Sequence, residues 1–256
     1  MESEALTAFI VESIRREAAH SGNVTEYREP LVGFASAADP RFGELRRIVE
    51  PTHFLPEQML PGARSAVAFF LPFAPWVVEA NAEDRSKVAR EWPVAYLETN
   101  ALIERITGGL IEALAGRGVR AAAAPATHNY DMETLTCRWS HKSVAVIAGL
   151  GSFGLHRMVI TEAGCCGRFG TLVLDADLAF TPPPIRERCL YFFDGSCREC
   201  VDRCPVNALG IDGSIDKQRC NHRLLGLGKA SGLEPLADAC GKCAIGPCSL
   251  RSAVAA

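Results

Sequence analysis

Seven cysteines near the C-terminal end have the spacing of metal ligands. They occur as Cys197-x2-Cys200-x3-Cys204-Pro205, then Cys220, then Cys240-x2-Cys243-x4-Cys248. Thiolates two residues apart can reach one iron–sulfur cube from a single loop, and a cysteine followed by proline closes the run typical of paired [4Fe–4S] clusters. The sequence therefore predicts a ferredoxin-like module that holds two such clusters and transfers electrons at low potential.

The crossed ligand pattern of paired clusters divides these cysteines into two groups. The Cys204 group is complete, with Cys204, Cys220, Cys240 and Cys243, whereas the Cys248 group has only Cys197, Cys200 and Cys248. Asp194 stands where the usual run has its first cysteine. The fourth ligand of the Cys248 group is therefore Asp194, Cys189, water or a substrate. A carboxylate binds soft cluster iron less well than thiolate, which would make that iron more labile or more open.

The alternatives to iron–sulfur clusters are structural zinc and a disulfide scaffold. Two Cys-x2-Cys pairs can form a four-thiolate zinc site, but zinc requires neither seven cysteines nor the Cys-Pro signature. The chain has eleven cysteines, none of them in the first 136 residues. A disulfide scaffold would be dense in cysteine throughout. The distribution favours a metal module attached to a globular domain.

The elements before this module mix helix and strand patterns. Apolar periodicity predicts helices over 1–20, with Leu6, Phe9, Ile10 and Ile14 on one face, and over 93–116, and strands over 65–73, 119–124, 158–161 and 171–174. Residues 139–148 fit a helix or a strand, and 21–64 have no assigned element. The fold class is therefore α/β or α+β. The prolines of Thr181-Pro182-Pro183-Pro184 predict a linker between domains at 1–180 and 185–256.

The composition excludes several classes of partner. The 256 residues carry a net charge of −3 without a cluster of Lys and Arg, which disfavours a nucleic-acid partner. The N-terminal segment is acidic and lacks the long apolar core of a signal peptide. No apolar run approaches the ~18 residues that indicate a membrane span. We therefore expect a cytoplasmic protein that does not associate with a membrane.

A glycine-rich motif follows residues 143–148. It spans Gly149-Leu150-Gly151-Ser152-Phe153-Gly154 and matches the dinucleotide fingerprint G-x-G-x-x-G, with Asp175 21 residues further on. Gly164 comes ten residues after the motif, too soon for a crossover helix, and there is no second βαβ half. The alternative is a turn in which glycine is needed for backbone geometry.

Residues 141–178 and 194–248 together resemble the epoxyqueuosine reductase family and its relatives, the corrinoid-dependent reductive dehalogenases. The resemblance lies in the glycine loop from Ala148 to Gly154, the segment GCCGRFGTLVLDADL from Gly164 to Leu178, and the cysteine run. It implies a nitroreductase-like α+β sandwich that binds a corrinoid (cobalamin) beside a two-cluster ferredoxin-like domain. Electrons would pass from the clusters to cobalt. Flavin is an alternative, since nitroreductase-like folds hold either cofactor.

The resemblance also suggests site residues. Gly149, Gly151, Ser152, Phe153 and Gly154 would lie beside the corrinoid. His156 and Arg168 would hold its carboxamide or phosphate groups, or lie at the surface, and the pair Cys165-Cys166 would be redox-active, a ligand, or two buried thiols. His141 and Lys142 would contact a cofactor or an anionic substrate, with His141 as a proton donor, or begin a helix.

One residue type expected from the family is out of register. The position of the family's candidate proton-donor aspartate is occupied by Leu135, with Asp131 and Glu133 nearby. Asp131 is therefore a third candidate catalytic residue, beside His141 and Lys142.

The expected function is that of an iron–sulfur oxidoreductase. It would take electrons from an external low-potential donor and pass them to a bound corrinoid, for reductive chemistry on a small molecule or on the corrinoid itself. The family's C-terminal helical repeats, which would help to hold a tRNA, have no counterpart in the sequence, so a tRNA substrate is not expected. The alternatives are an electron-transfer protein without corrinoid, and substrate chemistry at an open iron of the Cys248 group.

Overall fold

The computed structural model describes residues 3–183 and 187–254. The elements, in chain order, are α1 (Ser3–Ala19), β1 (Leu31–Ser36), α2 (Arg41–Ile48), α3 (Pro56–Met59), β2 (Ser65–Pro72), α4 (Pro75–Ala82), α5 (Glu91–Ala115), β3 (Ala121–Ala123), α6 (His141–Ile147), β4 (Gly151–Phe153), β5 (Val159–Thr161), β6 (Gly167–Leu174), α7 (Leu190–Asp194), α8 (Glu199–Asp202) and α9 (Lys217–Ser231). A short 3-10 helix spans Lys242–Ala244. The described helices include none that is long and apolar enough to cross a membrane.

A four-stranded antiparallel sheet forms the centre of the molecule. Its strand order is β1-β2-β6-β3, and Val67 of β2 pairs with both Phe34 of β1 and Leu172 of β6. Every residue of β2 is buried, because helices cover both faces of the sheet. This burial accounts for the continuous apolar run SAVAFFLP, where a strand with one wet face would alternate polar and apolar residues.

Two helical layers pack on the sheet. On one face α1 and α5 bury a stripe that includes Ile10, Ile14, Ile106 and Leu110 against residues of β2 and β6. On the other face α2 and α6 pack around Phe42 and Val144. The result is a mixed α/β sandwich.

Most predicted elements are confirmed. The helices over 1–20 and 93–116 are α1 and α5, and the four predicted strands are β2, β3, β5 and β6. The ambiguous segment 139–148 contains the helix α6, which Ser140 caps by accepting a hydrogen bond from the Ser143 backbone N–H. The unassigned region 21–64 contains β1, α2 and α3.

The C-terminal part of the chain has short helices joined by irregular loops. Of the predicted linker, Thr181 lies beside β1, where its N–H donates to the Phe34 carbonyl at 2.9 Å. Pro184 and the first residues of the predicted second domain, 185–186, lie outside the described residues. The segments around the cysteines pack directly against the sandwich, so both parts of the chain position the site.

Candidate metal centre

Five cysteines line one cavity in the C-terminal part. Its lining includes Cys189, Cys197, Cys200 and Cys248, together with apolar side chains such as Leu155 and Ile245. Cys189 immediately precedes α7, and Cys200 lies in α8. Burial, followed by the charges of Cys248 and Cys189, raises the pKa of Cys200 to about 12. The thiols that the sequence assigned to the Cys248 group are therefore close together, and Cys189 is with them.

Asp194 lies away from this cavity. It is the last residue of α7, it is exposed, and its Oδ1 accepts a hydrogen bond from the Ser196 N–H at 2.9 Å. The hydrogen bonds from Ser196 hold the pKa of the Asp194 carboxyl below its usual range. The carboxylate thus closes a local turn and, unlike Cys189, does not face the grouped thiols.

The sandwich places Cys248. The Cys165 N–H donates to the Cys248 carbonyl at 2.9 Å, and the Cys166 N–H donates to the Ser249 carbonyl at 3.1 Å. Gly164 makes this approach possible, since its φ is +82° and a Cβ there would lie 2.3 Å from the Ser249 oxygen. The Cys165-Cys166 pair therefore consists of two buried residues whose backbone binds the C-terminal segment.

Arg28 holds the same segment from the other side. Its guanidinium donates to the carbonyls of Leu250 at 2.8 Å, Ala163 at 2.6 Å and Phe73 at 3.0 Å. The segment after Cys248 is thereby tied to the end of β2 and to the loop before β6.

The Cys204 group is positioned mainly by C-terminal elements. Cys220 lies in the first turn of α9, and Cys240 and Cys243 flank the start of the 3-10 helix. Burial, followed by the charges of Cys240, Cys220 and Cys204, raises the pKa of Cys243 to about 12. Cys243 also lines the cavity of the Cys248 group, so the two groups are neighbours.

Two N–H groups donate to sulfur atoms of the Cys204 group. The Ala208 backbone N–H donates to Cys204 Sγ at 3.1 Å, and the Arg223 Nε–H donates to Cys240 Sγ at 3.2 Å. Donors of this kind stabilise thiolate over thiol, which suits sulfur atoms that bind metal.

Lys242, between Cys240 and Cys243, is buried with only 1% of its surface exposed. Its ammonium donates to the Asn81 carbonyl at 2.6 Å, to Asn81 Oδ1 at 2.8 Å and to the Asp84 carbonyl at 2.8 Å. This contact ties the cysteine loop to the end of α4. Sequence reasoning missed it, because a lysine between two cysteines carries no signal of burial.

A second polar cluster lies between α5, α6 and β6. We call it the Arg168 cluster, and its members are His141, Lys142, Arg168, Tyr96 and Asp238. The Arg168 guanidinium lies 4.4 Å above the Tyr96 ring, and burial lowers its pKa. Within the described residues, the buried atoms Arg168 Nε and Asp238 Oδ1 have no hydrogen-bond partner. Buried polar atoms without partners are uncommon and suit a bound polar ligand.

Of the predicted catalytic residues, His141 and Lys142 belong to this cluster. His141 Nε2 lies 2.9 Å from the Pro125 carbonyl, so Nε2 carries the proton, and Nδ1 lies 2.8 Å from Thr171 Oγ1. Both ring nitrogens are therefore engaged within the protein. Burial lowers the pKa of Lys142, while the charges of Cys137 and Cys243 oppose that shift.

Asp131 lies in the loop between β3 and α6 and is exposed. Its Oδ1 accepts hydrogen bonds from the backbone N–H groups of Glu133 at 3.0 Å and Thr134 at 2.8 Å. These bonds hold the pKa of the Asp131 carboxyl below its usual range. The carboxylate orders its own turn rather than joining the Arg168 cluster.

The glycine loop packs within the protein. A Cβ at Gly151 would lie 2.1 Å from the Ile160 carbonyl, and one at Gly149 would lie 2.7 Å from the Pro182 carbonyl. Ser152 Oγ donates to Glu187 Oε1 at 2.9 Å, and Phe153 packs against the core around α6. Backbone geometry and close packing thus account for these glycines. The helix α6 precedes the loop where a dinucleotide fold has a strand, which excludes that interpretation.

His156, a predicted cofactor contact, lies elsewhere. Its Nε2 is 3.4 Å from Cys248 Sγ, and it lines the cavity of the Cys248 group. The sequence contained no signal for this contact, which brings together residues 92 positions apart.

No family model matches the chain. The epoxyqueuosine reductase of Bacillus cereus is 27% identical over 173 residues, which cover 64% of this chain and 41% of that enzyme. The epoxyqueuosine reductase of Lactococcus garvieae is 38% identical over 79 residues, 30% of this chain and 21% of the relative.

Solved structures show the same fold. A selenomethionine-labelled epoxyqueuosine reductase superposes with a TM-score of 0.62 at 19% identity, covering 97% of this chain and 66% of that structure. A catabolic reductive dehalogenase in complex with 3-bromo-4-hydroxybenzoic acid superposes with a TM-score of 0.59 at 18% identity, covering 94% of this chain and 32% of the dehalogenase.

The chain is similar in sequence to epoxyqueuosine reductases and similar in fold both to them and to reductive dehalogenases. The resemblance predicted from the sequence is confirmed as a similarity in sequence to epoxyqueuosine reductases and in fold to both groups of enzymes. The chain spans only about two fifths of the length of the Bacillus cereus enzyme.

Proposed function

We propose that the protein is an iron–sulfur oxidoreductase whose C-terminal part is a ferredoxin-like domain holding two [4Fe–4S] clusters. The observation that carries the proposal is the cavity lined by Cys189, Cys197, Cys200 and Cys248, next to a second group of four thiols. Grouped thiols with raised pKa values do not ionise together unless a cation binds among them. The donor set is thus chemically suited to iron.

Cys189 is the fourth ligand of the Cys248 group in this proposal. Its side chain is buried at the cavity, whereas Asp194 is exposed and engaged with Ser196. Thiolate is also the better partner for soft iron. With eight thiolates available, each group has a full set of four, and this arrangement disfavours substrate chemistry at an open iron.

We propose that the electron acceptor is a corrinoid bound against the nitroreductase-like sandwich, where it would supply the cobalt chemistry. Support comes from the fold, which the chain shares with a reductive dehalogenase whose structure suggests B12-dependent dehalogenation. Further support comes from the Arg168 cluster, where the buried atoms Arg168 Nε and Asp238 Oδ1 have no hydrogen-bond partner among the described residues. The charges of both Arg168 and Cys243 act on the pKa of Lys142, so the Arg168 cluster lies beside the Cys204 group.

The substrate we propose is a small molecule or the corrinoid itself, and the electrons come from an external low-potential donor in the cytoplasm. One neighbour binds a tRNA stem loop and another binds 3-bromo-4-hydroxybenzoic acid. The net charge of −3 favours the small-molecule class for this chain. Lys142 and Arg168 would hold and orient polar groups of that ligand, whereas both ring nitrogens of His141 are engaged within the protein.

Anaerobic reconstitution tests the proposal. We expect about eight iron atoms per chain, two EPR-active clusters after reduction, and tight binding of added cobalamin detected by its visible spectrum. About four irons, or zinc, would refute the two-cluster assignment. Eight irons per chain without cobalamin binding would refute the proposed corrinoid and would support the alternative, an electron-transfer protein.

A matched pair of variants tests the fourth ligand. Cys189→Ala should lower the iron content from about eight to about four per chain, because a cubane with three thiolates is labile. Asp194→Ala should keep the full iron content. Cys166→Ala, which removes a buried thiol outside both groups, controls for loss of packing. The opposite result, iron loss in Asp194→Ala alone, would make the carboxylate the ligand.

A further inference from the structure

The sulfur of Cys248 has two buried neighbours outside the proposed ligand sets. His156 Nε2 lies 3.4 Å away and Cys165 Sγ lies 4.0 Å away. His156 is 4% exposed and Cys165 is 1% exposed. One nitrogen of His156 and the sulfur atoms of Cys165 and Cys248 lie within 4.8 Å of one another, at the edge of the cavity of the Cys248 group.

The backbone determines which nitrogen of His156 carries the proton. The Met158 N–H donates to Nδ1 at 3.1 Å, so Nδ1 is an acceptor. A neutral imidazole has one N–H, which must then be on Nε2. The Nε2–H therefore points at Cys248 Sγ and is a hydrogen-bond donor to it.

The glycine loop secures this position of the ring. A Cβ at Gly154 would lie 2.8 Å from His156 Cε1, so glycine is needed where the imidazole packs. The Met158 N–H binds one side of the His156 ring and Gly154 packs against the other side, so these contacts give the ring one orientation. The 3.4 Å between His156 Nε2 and Cys248 Sγ is a hydrogen-bonding distance for an N–H donor and a sulfur acceptor. Two ligands of one cubane, by contrast, each bind a different iron.

We infer that His156 tunes the cluster of the Cys248 group by donating an N–H···S hydrogen bond to Cys248 that raises the reduction potential of that cluster. The inference rests on the proposed function. Reduction adds one electron from the external donor, breaks no bond, and increases the negative charge on the cysteine sulfurs. A donor to sulfur stabilises the reduced state more than the oxidised state. His156 is a positioning residue that acts through Cys248, with no direct bond to iron.

Redox titration of the reconstituted protein, monitored by EPR, tests the inference. The signal that disappears in Cys189→Ala identifies the cluster of the Cys248 group. In His156→Leu we expect about a tenfold lower ratio of reduced to oxidised cluster at a fixed potential, which for one electron is about 59 mV to the negative side. The cluster of the Cys204 group should keep its potential.

A conservative variant separates tuning from packing. His156→Gln keeps an N–H near Sγ and should restore most of the potential. An unchanged potential in His156→Leu, or an equal shift of both clusters, would overturn the inference. Iron loss in both variants would overturn it too, because His156 would then hold the cluster rather than tune it. Iron below about eight per chain in the unmodified protein would instead indicate failure of the proposed function.

Discussion

The two cysteine groups are built in different ways. The Cys248 group gathers thiols from three separate segments, and the sandwich positions Cys248 through Cys165, Cys166 and Arg28. The Cys204 group comes from the turn after α8, from α9 and from the loop around the 3-10 helix, and Lys242 ties it to the end of α4. The difference lies in what holds each group: backbone hydrogen bonds from Cys165 and Cys166 for the first, and the buried ammonium of Lys242 for the second.

The contacts to sulfur differ as well. Cys248 faces the buried His156, whereas Cys240 accepts a hydrogen bond from Arg223, a half-buried side chain. Water competes with a donor near the surface more than with one in the interior. We therefore expect the clusters to respond differently when these contacts are changed.

The largest effect is expected from Gly164→Ala. A Cβ at this position would lie 2.3 Å from the Ser249 oxygen, and the φ of +82° disfavours any side chain. Cys248 should then move away from the other thiols, with loss of about four irons per chain and retention of the other cluster. Iron analysis and EPR would measure this.

The control for this variant is Gly118→Ala. Its φ of +76° is similar, but nothing lies within 4 Å of the added Cβ. This variant should keep all of its iron. Equal iron loss in the two variants would show that backbone strain, and not the contact with Ser249, is responsible.

A smaller effect is expected from Lys242→Met. The change leaves the Asn81 carbonyl, Asn81 Oδ1 and the Asp84 carbonyl without their shared donor. Loss of a charged donor should lower the free energy of unfolding by about 3 kcal/mol, measured on the reconstituted protein in denaturant. Iron should leave the Cys204 group first. Lys229→Met, at an exposed position of α9, should change neither quantity.

The smallest effect is expected from Arg223→Met. It removes the Nε–H donor to Cys240 Sγ at 3.2 Å. Because Arg223 is only half-buried, water replaces part of the interaction, and the reduced-to-oxidised ratio of the cluster of the Cys204 group should fall by about threefold. Redox titration measures it. A shift larger than that of His156→Leu would contradict the comparison between a buried and a half-buried donor.

Prediction from the sequence succeeded where the signal was local. The continuous apolar run at 65–72 could only be a buried element of strand length, and the period of 93–116 indicated a helix. The segment 139–148 stayed ambiguous because a short apolar run suits a helix and a strand equally. Prediction failed for region 21–64, because α2 and α3 are short and β1 has no polar–apolar alternation.

The candidate site shows the same division. Spacing alone grouped seven cysteines, since ligands two residues apart must share a loop. Cys189 lies eight residues before Cys197 and remained one of four alternatives. His156 was assigned to a cofactor, because its closeness to Cys248 arises only when the loop before β5 meets the C-terminal segment.

The sequence by itself determined the candidate metal ligands, the central strand, the long helix and the resemblance to epoxyqueuosine reductases. All of these depend on residue type and near-neighbour spacing. Tertiary structure alone decided that Cys189 rather than Asp194 faces the thiols of Cys197, Cys200 and Cys248, and that His156 faces Cys248. The physical reason is that these contacts join distant segments of the chain. Their approach depends on how the turn between β5 and β6, which contains Gly164, packs against the C-terminal segment.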